Sequence, residues 1–244
     1  MSAIMHHTLY DGRRIAFRLR QGTGPALVFL PGYMSDMVGS KATALFAEAE
    51  AQGRACLLLD YSGCGSSDGD FADGTLSRWR DEVLALIASY VAGPVVLAGS
   101  SMGGWLMLLV AERLKDRVAG VIGIAPAPDF TRWGYTEAQR AQLTAGETIY
   151  EPNPYGPEPT PTHAKFFADA ECHLRLERDV NLTCPVRLIH GQRDADVPWD
   201  TSLRLAAILR SDDIQVTLIK DGDHRLSRTG DIALIKAIVA QFYG

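Results

Sequence analysis

Gly99-Ser100-Ser101-Met102-Gly103 places a serine between two glycines at the spacing Gly-x-Ser-x-Gly, after the apolar run Val95-Val96-Leu97-Ala98 and before a helix-like stretch from Trp105 to Arg113. A strand, a tight turn and a helix in that order hold the central residue in a strained backbone conformation that lifts its side chain above the sheet. The flanking glycines remove the Cβ atoms that would clash there. Ser101 is thereby the candidate nucleophile. At the start of a helix it also has backbone N–H groups and the positive end of the helix dipole beside it, suited to stabilising an oxyanion.

A nucleophilic serine needs a base to take its proton and an acid to orient the base. Two later segments supply both in order: His190-Gly191-Gln192-Arg193-Asp194, then Gly222-Asp223-His224. Asp194 is read as the acid and His224 as the base. The Gly-x-Ser-x-Gly pattern alone arises roughly 0.1 times by chance at this composition, so the three segments together carry the assignment. Asp196, Asp221 and Asp223 are rival acids, but Asp194 stands in the frame His-Gly-x-x-Asp-x-x-Val-Pro. His190 reads as a structural residue at a strand end, because the base follows the acid in this chain order. Ser100 is expected to pack beneath the turn.

Other chemistries find less support. Gly63-x-Gly65 follows a predicted strand, yet a dinucleotide fingerprint needs a glycine at 68, where this chain has Asp68, and no phosphate-binding G-x-x-x-x-G-K-[ST] loop occurs. No H-E-x-x-H or comparable spacing points to a metal, so neither metal nor cofactor is expected. Cys56, Cys64, Cys172 and Cys184 form no C-x-x-C pair and read as reduced thiols. A net charge of −5 without a Lys/Arg run argues against nucleic acid or an anionic membrane surface as partner. Small molecules or protein partners remain. No apolar run reaches the length of a span, so no stable membrane insertion is expected, and the amino terminus lacks a leader pattern, which predicts a cytoplasmic location.

The elements that must position these residues alternate along the chain. Apolar runs predict strands near 13–20, 26–31, 54–60, 95–99, 118–125, 185–190 and 214–220. Helical periodicity falls at 40–52, 75–91, 101–115, 200–210 and 229–242, with Thr75 and Asp200 as N-caps. This is the pattern of an α/β domain, residues 1–244, with a mostly parallel central sheet flanked by helices and an antiparallel hairpin edge around Asp11-Gly12. Ser101, Asp194 and His224 all follow predicted strands, on the rim where such sheets bind ligands. Residues 127–180 break the alternation, with helical stretches near 136–146 and 162–177 around a proline-rich run from Glu151 to Pro161. They read as a short helical lid over the site.

Together these residues resemble the α/β-hydrolase superfamily. Within it the chain is similar to the subfamily of mitochondrial α/β-hydrolase domain-containing protein ten, palmitoyl-protein thioesterases that are also acyl-glucuronide esterases. The resemblance runs through Pro31-Gly32-Tyr33, Ser35, Met37, Lys41-Ala42, Asp60-Tyr61-Ser62-Gly63, Gly65-Ser66-Ser67-Asp68-Gly69 and Trp79-Arg80. It is densest from Gly99 to Leu108, at Cys184-Pro185, His190-Gly191, Asp194, Val197-Pro198-Trp199 and Asp223-His224-Arg225, and it covers nearly the whole chain except 127–180. It implies the α/β-hydrolase fold and the same roles for Ser101, Asp194 and His224. Pro31-Gly32-Tyr33 stands where the family has an oxyanion turn, so the N–H groups of Tyr33 and Met102 form the implied oxyanion hole. Asp60 and Ser62 take a structural role.

The expected activity is metal-free cleavage of acyl esters or thioesters through an acyl-serine. A small-ester carboxylesterase on the same residues and a non-catalytic ligand-binding scaffold are the alternatives. Trp105, Trp133, Phe166 and Phe167 are the candidate substrate contacts. The lid adds Phe130, Tyr150, Tyr155 and Leu174 to these, with basic Arg132, Arg140 and Lys165, which suits an acyl chain carrying a polar or anionic leaving group.

Overall fold

The computed structural model describes residues 3–154 and 156–243; Tyr155 lies outside them. In chain order the elements are β1 (Met5–Thr8), β2 (Arg14–Arg20), β3 (Thr23–Leu30), α1 (Ser40–Ala51), β4 (Arg54–Leu59), α2 (Leu76–Tyr90), β5 (Val95–Ser100), α3 (Met102–Leu114) and β6 (Val118–Ile124). Then come α4 (Phe130–Trp133), α5 (Glu137–Thr144), β7 (Ile149–Glu151), β8 (Thr160–Thr162), α6 (Ala164–Glu171), β9 (Val186–Gly191), α7 (Asp200–Ile208), β10 (Ile214–Ile219) and α8 (Thr229–Ala240). Eight strands form one sheet in the order β1-β2-β4-β3-β5-β6-β9-β10. β2 pairs antiparallel with both β1 and β4, and every other neighbouring pair is parallel.

Period-two alternation divides the core between the two faces of this sheet. In β3, Ala26, Val28 and Leu30 pack with α2 and α3, whereas Leu27 and Phe29 pack with α1 and α8; β4 and β5 repeat the same division. Helix α3 is buried at every position from Met102 to Ala111, so its sequence is apolar all round and not striped. Burying ten successive residues at the sheet's centre fixes the position of its first turn, where Ser101 lies.

Three predicted details change. Asp200 is the first residue of α7, not its cap, which is Trp199; the carboxylate in the first turn still complements the helix dipole. The helix predicted over 162–177 is the shorter α6, because Cys172 and His173 turn the chain away. The short strands β1, β7 and β8 and the single-turn α4 carried too few residues for a periodic signal. Thr75 caps α2 as predicted, its Oγ1 accepting from the Arg78 N–H at 3.1 Å.

The segment between β6 and β9 is tied down at both ends and along its length. Asp129, itself at φ 58°, accepts from the N–H groups of Arg175 (2.8 Å) and Leu176 (2.7 Å), closing the neck of the insertion. Ser77 N–H donates to Asp169 at 2.9 Å, and the Trp105 indole N–H donates to the His173 carbonyl at 3.0 Å. Tyr33 Oη donates to the Pro161 carbonyl at 3.1 Å.

Candidate active site

Ser101 is the N-cap of α3 with φ 54° and ψ −123°, a conformation that L residues rarely hold. Surrounding bonds impose it. Ser101 N–H donates to Ile124 O at 3.0 Å, and Ser101 O accepts from Gly104 N–H at 2.8 Å and Ala127 N–H at 3.0 Å. Neighbouring glycines permit it: a Cβ on Gly99 would collide with the Gly103 carbonyl, and one on Gly103 with the carbonyls of Leu30 and Pro31.

Ser101, Asp194 and His224 meet although they are far apart in sequence. His224 Nε2 lies 3.1 Å from Ser101 Oγ, and His224 Nδ1 lies 2.8 Å from Asp194 Oδ2. Asp194 Oδ1 accepts from the N–H groups of Asp196 (2.9 Å) and Val197 (2.8 Å). The side chain of Asp194 is fully buried. Burial opposes its charge, but the hydrogen bonds from His190 and His224, the His224 charge and the Val197 N–H outweigh burial and hold its carboxyl well below the usual range. Of the rival acids, Asp196 donates its backbone N–H to Asp194, lines the cavity there, and brings a carboxylate oxygen within 4.8 Å of ligand-type atoms of Asp194 and His224. Asp221 pairs with Arg228 at 2.7 Å, and Asp223 accepts from Leu226 N–H at 2.9 Å, bracing the loop that carries His224.

Tyr33 and Met102 line the same cavity as Ser101. Met102 opens α3, where first-turn N–H groups have no carbonyl one turn back to bond. The Pro31-Gly32-Tyr33 turn is pressed against the elbow, since a Cβ on Gly32 would lie 3.4 Å from Ser101 Cβ. Asp60 braces this turn from below: it accepts from Met37 N–H at 2.7 Å and Ser66 N–H at 2.8 Å. Tyr61 Oη adds a bond to Pro31 O at 3.1 Å.

Two cavities adjoin Ser101 and His224. The larger, about 630 Å³, runs under the insertion past Tyr33, Met102, Phe130, Trp133 and Tyr135. The smaller, about 260 Å³, lies against α1 and is lined by Ser35, Ser40, Lys41, Arg225 and Ser227. Of the four candidate substrate contacts only Trp133 reaches a cavity wall. Trp105, Phe166 and Phe167 are 0%, 1% and 7% exposed and pack behind that wall, locking the insertion to the body. The basic groups of the insertion also face elsewhere: Arg132 pairs with Glu171, Lys165 with Asp73, and Arg140 donates to the Arg132 carbonyl.

Two contributions were not legible beforehand. His190 Nε2 lies 3.1 Å from Asp194 Oδ2, while its Nδ1 lies 2.7 Å from Ser202 Oγ. Lys41 donates through Nζ to the Arg225 carbonyl, next to His224, and burial together with the Arg225 charge pulls its ammonium down to about 8. His190-Gly191, Lys41 and Arg225 all fall in the blocks that carry the resemblance, but only the fold reveals what they touch. Asp194, Asp196 and His224 bring ligand-type atoms within 4.8 Å of one another, yet Asp194 and His224 already bond each other.

The Alpha/beta hydrolase family model matches residues 27–237. The chain is 37% identical over 229 residues to human palmitoyl-protein thioesterase ABHD10, mitochondrial, covering 92% of this chain and 75% of that protein. The solved structure of mouse alpha/beta hydrolase domain-containing protein 10 superimposes with a TM-score of 0.92 at 34% identity, covering 99% of this chain and 98% of that one. A solved protein from Agrobacterium vitis S4 matches with a TM-score of 0.91 at 36% identity, over 99% of both chains. The predicted cytoplasmic location is corrected by these findings, because the similar thioesterases from five mammals are mitochondrial proteins. With the family model spanning most of its length, the chain belongs to the alpha/beta hydrolase family.

Proposed function

We propose that this hydrolase cleaves acyl esters or thioesters through a covalent acyl-serine, with Ser101 as nucleophile, His224 as general base and acid, and Asp194 orienting His224. The observation that carries the reading is the continuous chain Ser101 Oγ, His224, Asp194, with separations of 3.1 and 2.8 Å. His224 Nε2 takes the Ser101 proton as Oγ attacks the carbonyl carbon. Asp194 holds the Nδ1–H tautomer and stabilises the imidazolium. The N–H groups of Tyr33 and Met102 receive the oxyanion. The C–O or C–S bond then breaks as His224 returns the proton to the leaving group. Water, activated by the same imidazole, hydrolyses the acyl-serine and regenerates Ser101.

The insertion over residues 127–180 acts as a lid whose aromatic underside receives the acyl chain. The similar mammalian proteins are palmitoyl-protein thioesterases, and a cavity of about 630 Å³ beside Ser101 is consistent with a long-chain acyl donor here. A fluorophosphonate probe should label Ser101 alone, and Ser101→Ala should abolish both labelling and turnover. Labelling of Ser100, or wild-type turnover by Ser101→Ala, overturns the proposal.

A further inference from the structure

The Pro31-Gly32-Tyr33 turn is held from two sides, by the body and by the insertion. From the body, Tyr61 Oη donates to Pro31 O at 3.1 Å. From the insertion, the Pro161 carbonyl of β8 accepts the Tyr33 hydroxyl at 3.1 Å, across 128 positions of sequence. Burial raises the pKa of this phenol, so it stays a neutral donor. The ring lies edge-on to Phe130 and Phe166 of the insertion, with centroids 6.0 and 5.0 Å away.

The same part of the insertion walls the larger cavity. Strands β7 and β8 pair antiparallel, with Tyr150 opposite Pro161. Glu151, Thr160 and Thr162 of this hairpin line the cavity beside Ser101, together with Phe130 and Tyr33. An acyl chain lying there would press on the hairpin that Tyr33 bonds.

We infer that the Tyr33 side chain is a positioning group that couples the filling of the acyl cavity to the oxyanion hole. A chain seated against the β7–β8 hairpin fixes Pro161, Pro161 fixes the phenol, and the phenol fixes the N–H of its own residue beside Ser101. Ring and N–H share one Cα, so no flexible link intervenes. The turn also has little slack against the elbow, where a Cβ on Gly32 would lie 3.4 Å from Ser101 Cβ. An oxyanion donor acts through its aim, so part of the energy of binding a remote acyl chain is expressed in the rate of the chemical step and not only in affinity. The inference rests on the proposed acyl-serine chemistry at Ser101, with the acyl chain in the larger cavity.

The test separates rate from affinity for a short and a long acyl group. p-Nitrophenyl butyrate and octanoate are mixed with excess enzyme in a stopped-flow instrument. Release of p-nitrophenolate at varied enzyme concentration gives the acylation rate constant and the Kd for each ester. At saturation, wild type should acylate faster with octanoate than with butyrate by roughly 2- to 12-fold, the range of one neutral hydrogen bond. Tyr33→Phe keeps the ring and loses the bond, so its octanoate advantage in rate should fall toward one while its Kd still favours octanoate. Tyr61→Phe loosens the turn from the body side; it should slow both esters by a common factor and keep the advantage. A wild-type rate constant that is the same for both esters, with chain length felt only in Kd, overturns the coupling, and that arm needs no variant. A Tyr33→Phe enzyme, folded by circular dichroism, that slows both esters equally and keeps the wild-type advantage overturns it too, and leaves ester hydrolysis standing. Absence of an acyl adduct on Ser101, read by mass spectrometry of the quenched reaction, removes the proposed function and this inference together.

Discussion

His190 and His224 approach the same oxygen of one carboxylate, Asp194 Oδ2, at 3.1 and 2.8 Å. The second oxygen takes the two backbone donors from Asp196 and Val197. With Nδ1 of His190 facing Ser202 Oγ at 2.7 Å, a hydroxyl donating into His190 leaves Nε2–H to donate onward to Asp194. On the proposed roles, the base is thus oriented by an acid that is itself oriented by a second imidazole.

Replacing His190 tests that relationship. His190→Phe keeps a buried ring but removes one donor from a buried carboxylate, a loss of about 1–3 kcal/mol. Expressed as transition-state stabilisation, this lowers kcat by roughly 10- to 100-fold with KM little changed. Asp194→Asn should cost on the order of 10⁴ in kcat, and Asp196→Asn much less, because it is Asp194 Oδ2 that meets His224 Nδ1 at 2.8 Å, while the Asp196 backbone N–H bond to Asp194 survives the change. Steady-state kinetics on the three variants decides it, and equal losses for Asp194→Asn and Asp196→Asn count against the assignment of the acid.

The same contacts set a pH dependence of stability. The folded state depresses the Asp194 pKa, so its ionised form contributes stability that is fully present above the ordinary aspartate value, near 4, and is lost as pH falls through the folded value. Asp194→Asn lacks this titration. The Tm gap between wild type and Asp194→Asn should therefore be greatest above pH 5 and shrink steadily below pH 4 in a calorimetric series. A gap that stays constant down to pH 2 contradicts the coupling.

The spacing around Ser101, Asp194 and His224 is legible in sequence because a strand-turn-helix elbow constrains neighbouring residues, and the glycines it requires are local. The parallel core is legible for a similar reason: Leu27 and Val28 face opposite sides simply by being adjacent. What Trp105 touches is a different kind of question. An aromatic residue near a site can face the substrate or anchor the lid, and that choice depends on His173, whose carbonyl takes the indole N–H from 68 residues away. Lys41 and Arg225, separated by 184 positions, likewise share a cavity only because α1 and the His224 loop meet at the rim.

The elbow's tolerance for added atoms is a stringent check on the packing around it. A methyl group at Gly103 would meet the backbone carbonyls of Leu30 and Pro31, which cannot rotate away as a side chain can. Gly103→Ala should destabilise by about 1–3 kcal/mol, a Tm drop of roughly 2–12 °C for a chain of this size, and should reduce turnover because Ser101 and the Tyr33 turn are forced apart. Gly93, with no atom within 4 Å of an added Cβ, is the control, and Gly93→Ala should be neutral or slightly stabilising. Differential scanning calorimetry with parallel assays measures both, and equal tolerance at the two glycines contradicts close packing at the elbow.

The division between residues that anchor the insertion and those that wall the cavity makes the last prediction. Trp105 is fully buried and its indole N–H is bonded, so Trp105→Ala should cost about 3–5 kcal/mol of stability and lower activity on all chain lengths together. Trp133 lines the larger cavity while its indole N–H is held by Pro128 O at 2.9 Å, so it presents a fixed wall to the acyl chain. Trp133→Ala should leave butyryl hydrolysis nearly unchanged and lower kcat/KM for long chains, flattening a wild-type rise that is limited to about 1–3 kcal/mol per methylene. Measuring kcat/KM from acetyl to palmitoyl on esters and thioesters, for wild type and both variants, separates the two roles. A wild-type profile that falls steadily beyond butyryl without thioester turnover would assign the same serine and histidine to small esters, because a cavity of about 630 Å³ beside Ser101 would then be holding something other than an acyl chain.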